Sequence, residues 1–312
     1  MRHLGIVGAG SVGTAIAFSA LTKGIAEHLS LYDVDAGRVR AETLDLRHGL
    51  EFVGPATIEG SDDAGVCSGA DVVVVTAGAK QRPGESRLGL AGRNAAVLRE
   101  IVPRMVEVAP EALLLIVSNP VDALTQLAID ITGRVDGTVF GSGTVLDSSR
   151  LRHLLAVRYA IAERHVHAHV VGEHGDSEIV LWSSATIGGA PLTEVETPNG
   201  RRLAEEERDA LLAEVRNAAY EIIAGKGATT WAVALAVTHV LAAVDRTSHA
   251  AVLPVTAPVD PALGLAEVCI SLPRLVDSAG AGPILPFSAT TTEKDQIRAS
   301  AAAVARAVAA LS

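Results

Sequence analysis

Apolar positions along this chain fall into short runs and helical stripes that alternate from the first residues onward. His3–Val7 is an apolar run of strand length, Ser11–Lys23 sets Ala15, Ile16 and Ala20 on one helical face, and His28–Tyr32 is a second strand-like run. Strand patterns recur at 56–59, 71–76, 113–118 and 138–141, with helical stretches between them. Val72 to Val75 is apolar at every position, as expected of a central parallel strand covered on both faces. This alternation predicts an α/β fold: a Rossmann-like, doubly wound parallel sheet with helices on each side.

The pattern changes after Gly143. A helix is expected over Val145–Tyr159, and His165, His167 and His169 alternate as on a strand. An amphipathic helix is predicted over 205–223, stopped by Gly225 and Gly227, and a mostly apolar one over 229–244. Strands at 251–255 and 267–272 precede a terminal helix that opens on a capping box, Thr290 to Glu293. The chain therefore divides into residues 1–143, a Rossmann-like α/β domain, and residues 144–312, an α+β domain.

Composition narrows the partners. With 312 residues, 49% hydrophobic and 20% charged, the chain can fill two domain cores as a soluble protein. A net charge of -10 argues against nucleic acid and anionic membranes. The longest apolar stretch, 232–244, is short of the ~20 residues a membrane span needs. Two cysteines make neither a disulfide framework nor a thiolate metal site, so a cytoplasmic protein is expected.

The chemistry-bearing residues sit where the elements end. Gly8-Ala9-Gly10-Ser11-Val12-Gly13 follows a strand and opens a helix, and Asp33 ends the next strand twenty residues after Gly13. Glycines there let the backbone approach a pyrophosphate at the helix N-terminus, while the acid takes ribose hydroxyls and repels a 2'-phosphate, which favours NAD. Ala77-Gly78, Ser118-Asn119-Pro120 and Gly141-Ser142-Gly143 close further strands at the same sheet edge. Residues 78–88 form a basic, Gly- and Pro-rich loop that reads either as solvated surface or as a cationic lid for an anionic substrate. Asp147 and Arg150, three apart on a helix, can be an internal ion pair or a functional one. His174, between Gly172-Glu173 and Gly175-Asp176, offers an acid–base group near neutrality. Two rival classes remain at this point. One is a nucleotide-binding protein without turnover; the other is a metal-dependent hydrolase using the three alternating histidines with Glu173 or Asp176 as base.

Taken together, the motifs resemble the L-lactate and malate dehydrogenase family over nearly the whole chain. The residues that carry the likeness are Gly8 to Gly13, Asp45-Leu46-Arg47-His48-Gly49, Gln81 to Arg87, Ser118-Asn119-Pro120, Leu146-Asp147-Ser148-Ser149-Arg150 and Gly172-Glu173-His174-Gly175-Asp176. The resemblance implies an NAD-dependent enzyme, without metal, in which His174 exchanges the proton and Asp147 holds its ring. It implies that Arg150 clamps the substrate carboxylate, that Arg87 polarises the carbonyl from the lid, and that Asn119 and Thr229 line the site. Gly8, Gly10, Ser11, Val12, Gly13, Asp33, Ala77, Gly78 and Asn119 would bind the cofactor. Gln81 stands where members acting on malate carry Arg, so pyruvate and lactate are favoured; Arg82 beside it keeps malate as the alternative. Arg152 and His167 match positions that bind fructose 1,6-bisphosphate as an activator in bacterial members, and a homotetramer is the family's usual assembly. Ser149 and Thr230-Trp231 depart from the commoner family pattern.

Overall fold

The computed structural model describes residues 1–79, 87–245, 247–259 and 263–311, with the backbone alone for residues 87 and 88. Gln81, the rest of the lid segment 80–86 and the Arg87 side chain therefore lie outside the described residues.

Six parallel strands follow one another with helices between: β1 (His3–Val7), β2 (His28–Tyr32), β3 (Thr57–Ser61), β4 (Val72–Val75), β5 (Leu113–Ile116) and β6 (Val139–Gly141). They stand in the order β3-β2-β1-β4-β5-β6. Their helices are α1 (Ser11–Lys23), α2 (Ala36–His48), α3 (Arg87–Val108) and α4 (Val121–Thr132). Period-2 alternation sorts the strand side chains between two cores. Leu4, Ile6, Leu29, Leu31, Val72 and Val74 face α1, while Val7, Val73, Val75, Leu114 and Ile116 face Leu98, Val102 and Met105 of α3 and Leu124 of α4. This is why Val72 to Val75 had to be apolar throughout.

Beyond β6 the chain forms α5 (Val145–Tyr159) and then short strands: β7 (Val166–His167), β8 (Val170–Val171), β9 (Ile179–Val180), β10 (Thr186–Ile187) and β11 (Ala190–Pro191). Two long helices, α6 (Glu205–Lys226) and α7 (Trp231–Val244), precede the strands β12 (Ala251–Pro258), β13 (Cys269–Asp277) and β14 (Gly280–Ile284), and α8 (Thr291–Ala309) ends the order. The last three strands are antiparallel and extend the first sheet to nine strands, with β12 meeting β6 at Thr256 and Gly141. From the second half, Val237, Val240 and Leu241 of α7 also complete the core over α1.

Several elements differ from the sequence reading. The helix α3 begins at Arg87, inside the segment 78–88 read as a loop, because Gly89, Gly92 and Arg93 break up the apolar stripe without breaking the helix. The three alternating histidines do not share a strand: His165 ends a 3-10 turn and β7 stops at His167. The terminal helix does open on the Thr290–Glu293 capping box, with each side chain bonded to the other's backbone amide.

The turn from β1 to α1 is tight. Gly8 has φ +104°, a region that favours glycine, and a Cβ on Gly13 would overlap the Gly8 carbonyl oxygen. At Gly10 a Cβ would meet nothing within 4 Å. Gly13→Ala is therefore expected to cost about 1–3 kcal/mol of stability through overpacking, and Gly10→Ala much less. Thermal unfolding of the two variants side by side checks this, and equal melting temperatures would contradict it.

Candidate active site

The centre of the site is built by stitching one helix to one strand. In the first turn of α5, the Thr144 hydroxyl donates to the Val170 carbonyl at 2.6 Å, and Ser148 Oγ accepts the Val170 amide at 2.9 Å. These bonds hold Asp147, between the two hydroxyl residues, beside the segment that runs from β8 to His174. Gly172 exchanges both backbone hydrogen bonds with Ser271 of β13, at 2.8 and 3.0 Å. It has φ +90°, and a Cβ there would lie 2.6 Å from Ser300 Oγ of α8. The same Ser300 hydroxyl accepts the Glu173 amide at 2.8 Å. Glycine at 172 is what lets the chain turn sharply over α8 and present the next side chains to α5.

His174 then meets Asp147 at 2.6 Å, Nδ1 to Oδ2, while Arg150 donates to the other carboxylate oxygen at 2.8 Å. A carboxylate can only accept, so Nδ1 carries the hydrogen and Nε2 faces the remaining space. Asp147 is almost fully buried, and the His174 and Arg150 side chains are 25% and 15% exposed. Burial works against the charged Asp147 carboxylate, but His174 and Arg150 outweigh it and hold its pKa below the usual range. Burial likewise opposes a charged imidazole, yet Asp147, with Asp122 and Glu178 nearby, raises the His174 pKa to about 9. At neutral pH His174 is a protonated acid held in one orientation.

Asp122, two residues into α4, is a supporting residue that sequence reasoning missed. It is 3% exposed, accepts the His174 amide at 2.7 Å and takes the Thr256 hydroxyl on its other oxygen. Its only outward signal is a carboxylate just after Ser118-Asn119-Pro120, where a helix N-terminus alone would account for it. Asn94 of α3 was missed too. Its side chain takes the Ala79 amide and gives to the Asn119 carbonyl, both at 2.7 Å, so it braces the loops after β4 and β5. Glu178, four residues past His174, is the third: it is 2% exposed and lies with Asp147 and His174 in a cluster whose nitrogen and oxygen atoms are within 4.8 Å of one another.

The glycine loop suits a dinucleotide. Gly10 caps α1 with no side-chain bond, which leaves first-turn amides to face an anion, and no Cβ fills the approach. Asp33 directly follows β2 and accepts the Ala9 amide at 2.7 Å, so the acid and the loop are tied together. Ser11 and Val12 lie in the first turn of α1, and Ala77 and Gly78 follow β4 at the same sheet edge. Ser118 donates to the Ala77 carbonyl at 2.6 Å, and Asn119 joins Val121 through its side chain.

The remaining expected residues are more scattered. Thr229 is half-buried in the turn before α7. Arg152 is half-buried on α5 and His167 exposed on β7; after burial, both charges help to push the His169 pKa down to about 4. No three-donor cluster of His, Cys, Asp or Glu among the described residues includes His165, His167 or His169. Glu173 takes the Ser177 hydroxyl within the loop, and Asp176 takes the Tyr220 hydroxyl of α6 and so ties the loop to that helix.

Comparison with known proteins agrees with this architecture. Residues 2–141 match the NAD binding domain of lactate/malate dehydrogenases, and residues 144–310 match their alpha/beta C-terminal domain. The chain belongs to the lactate/malate dehydrogenase family. Within it, the chain is 45% identical to an L-lactate dehydrogenase of Bifidobacterium animalis subsp. lactis over 89% of this chain and 87% of that one. It is 43% identical to an L-lactate dehydrogenase of Gloeobacter violaceus, covering 95% and 89%. Among solved structures, a minor L-lactate dehydrogenase from Enterococcus mundtii in a ligands-bound form superposes with a TM-score of 0.93 at 34% identity, covering 100% of this chain and 98% of that one. A lactate dehydrogenase from a Medee basin deep-sea metagenome library gives 0.94 at 33% identity, covering 100% and 99%. As a family member the chain is an NAD-dependent dehydrogenase.

Asp122 makes the site's stability pH-dependent. Burial raises its pKa from 3.8 to about 6, with the Thr256 and His174 bonds opposing. A raised carboxyl contributes its full stability below about pH 4 and loses it as pH rises through about 6. Asp122→Asn cannot ionise, so its stability relative to the unsubstituted protein should improve between those limits by up to about 3 kcal/mol. Melting temperatures measured at about pH 4.5 and about pH 7.5 give the sign, and a difference that does not change with pH would contradict it.

Proposed function

We propose that the chain is an L-lactate dehydrogenase, passing hydride between NADH and pyruvate, with residues 1–143 holding the cofactor and residues 144–312 the substrate and acid–base group. The observation that carries this reading is the buried carboxylate of Asp147, which holds the His174 ring on one oxygen and Arg150 on the other. The names of the similar relatives and the neutral Gln81 support pyruvate over oxaloacetate.

A nicotinamide cofactor seated on the glycine loop would supply the hydride that C2 of pyruvate receives. His174 gives its Nε2 proton to the carbonyl oxygen, so pyruvate, NADH and one proton yield L-lactate and NAD+; in reverse, neutral His174 takes the lactate hydroxyl proton. Asp147 keeps Nδ1 protonated and offsets the imidazolium charge. The Arg150 nitrogens not engaged with Asp147 pair the substrate carboxylate in a two-pronged contact. The family resemblance gives Arg87 the role of polarising the carbonyl and Gln81 that of leaving a second substrate carboxylate without a partner, with Asn119 and Thr229 lining the pocket. Gly8, Gly10, Ser11, Val12, Gly13, Asp33, Ala77, Gly78 and Asn119 seat the cofactor.

Assembly as a homotetramer is supported by large apolar side chains left exposed on neighbouring helices, among them Phe18 of α1, Leu44 of α2, and Trp231 and Leu235 of α7. Arg152 and His167 supply the cationic pair for fructose 1,6-bisphosphate across a subunit boundary. Two buried free cysteines, with no helix among the described residues long and apolar enough to cross a membrane, support a cytoplasmic location.

Following NADH absorbance with pyruvate and with oxaloacetate tests the reading; turnover with oxaloacetate but not pyruvate would overturn the substrate. His174→Asn should keep NADH binding and lose at least ~100-fold in turnover, and pyruvate reduction should decline as pH rises through about 9, where the imidazole loses its proton. Near-normal turnover by that variant would remove His174 from its role. Adding fructose 1,6-bisphosphate at neutral pH should lower the KM for pyruvate, and unchanged kinetics would remove Arg152 and His167 from an effector site.

A further inference from the structure

Glu178 is a buried carboxylic acid that the acid–base chemistry above does not use. Its side chain belongs to the cluster with Asp147 and His174, all within 4.8 Å, and its Oε1 is buried without a hydrogen-bond partner among the described residues. The Glu178 backbone carbonyl is held by Arg216 of α6, which fixes the residue without satisfying its carboxyl. Among the described residues, the charged groups facing Glu178 and His174 are Asp147 and Arg150 of α5, Asp122 of α4 and Arg216 of α6.

Two carboxylates this close in a buried site cannot both ionise cheaply. Asp147 has the imidazole and the Arg150 guanidinium as direct partners, so it takes the charge. Glu178 has neither, and burial followed by the Asp147 charge pushes its pKa up to about 8. We propose that Glu178 is a positioning residue for the proton of His174: beside the charged Asp147 it stays neutral in neutral solution, and when it ionises in alkaline solution its charge tightens the hold of His174 on its own proton. The inference rests on the acid–base role of His174 argued above. Its chemical effect is to extend pyruvate reduction to higher pH and to hold back lactate oxidation, which needs the neutral imidazole.

The test compares the full-length enzyme with Glu178→Gln, which keeps the shape and removes the titration. Carbethoxylation by diethyl pyrocarbonate reacts with neutral imidazole, and mass spectrometry of the peptide containing His174 gives its midpoint between about pH 6 and about pH 10 without any turnover. The midpoint should fall by about one pH unit or more in the variant, a tenfold change in proton affinity, and the alkaline limb of kcat/KM for pyruvate should move with it. Glu178→Asp, which still titrates, should return both toward the original values. Coincident midpoints, or a loss of activity by one factor at every pH, would overturn the proposal, since a merely structural residue moves no midpoint. A shifted modification midpoint in a protein that does not reduce pyruvate would support the Glu178 coupling and overturn the functional reading alone.

Discussion

Everything in the site depends on one buried carboxylate having two cationic partners. Asp147 lies in the first turn of α5, where the helix dipole favours a negative charge, and its two oxygens are divided between His174 and Arg150. A charge removed from water in this way is stable only while both partners remain. The same pairing fixes the imidazole tautomer, keeps the ring charged at neutral pH and points the guanidinium. One residue thus sets the protonation, orientation and electrostatic balance of the other two.

That arrangement holds because the backbone around it has little freedom. Hydroxyl groups do most of the joining: Thr144 and Ser148 fasten α5 to β8, Ser300 fastens the Gly172-Glu173 turn to α8, and Thr256 connects Asp122 to Ser271. Each is short, buried or nearly so, and bonded to groups that would otherwise be unsatisfied in a low-dielectric interior. His174 is held at both ends, its amide by Asp122 from one side and its ring by Asp147 from another.

Much of this was legible in the sequence where local pattern and chemistry coincide. The first strand, glycine turn and helix were placed to the residue, because a fully buried strand and a glycine turn leave few alternatives. The His174, Asp147 and Arg150 set was readable from its motifs, and the structure brings the three together. Asp122, Asn94 and Glu178 were not readable. A carboxylate near a helix start, an amide on a helix and an acid in a loop each have ordinary surface explanations, and only the tertiary fold buries them. The helix onset at Arg87 was obscured by glycines, and the histidine alternation suggested a strand that the chain breaks after His167. For the Rossmann-like sheet, the sequence showed the parallel half; the antiparallel extension through β12 depends on pairing across more than a hundred residues, which periodicity does not encode.

That extension bears on how far the two halves of the chain are separable modules. Thr256, the residue by which β12 meets β6, is also the one whose hydroxyl holds Asp122, and Asp122 belongs to the first half while His174 belongs to the second. Recombining the second half with a foreign nucleotide-binding sheet would bring His174 together with Asp147 and Arg150, but would leave its backbone anchor behind. The halves share the support of a single imidazole, so each is fitted to the other as well as to its own ligand.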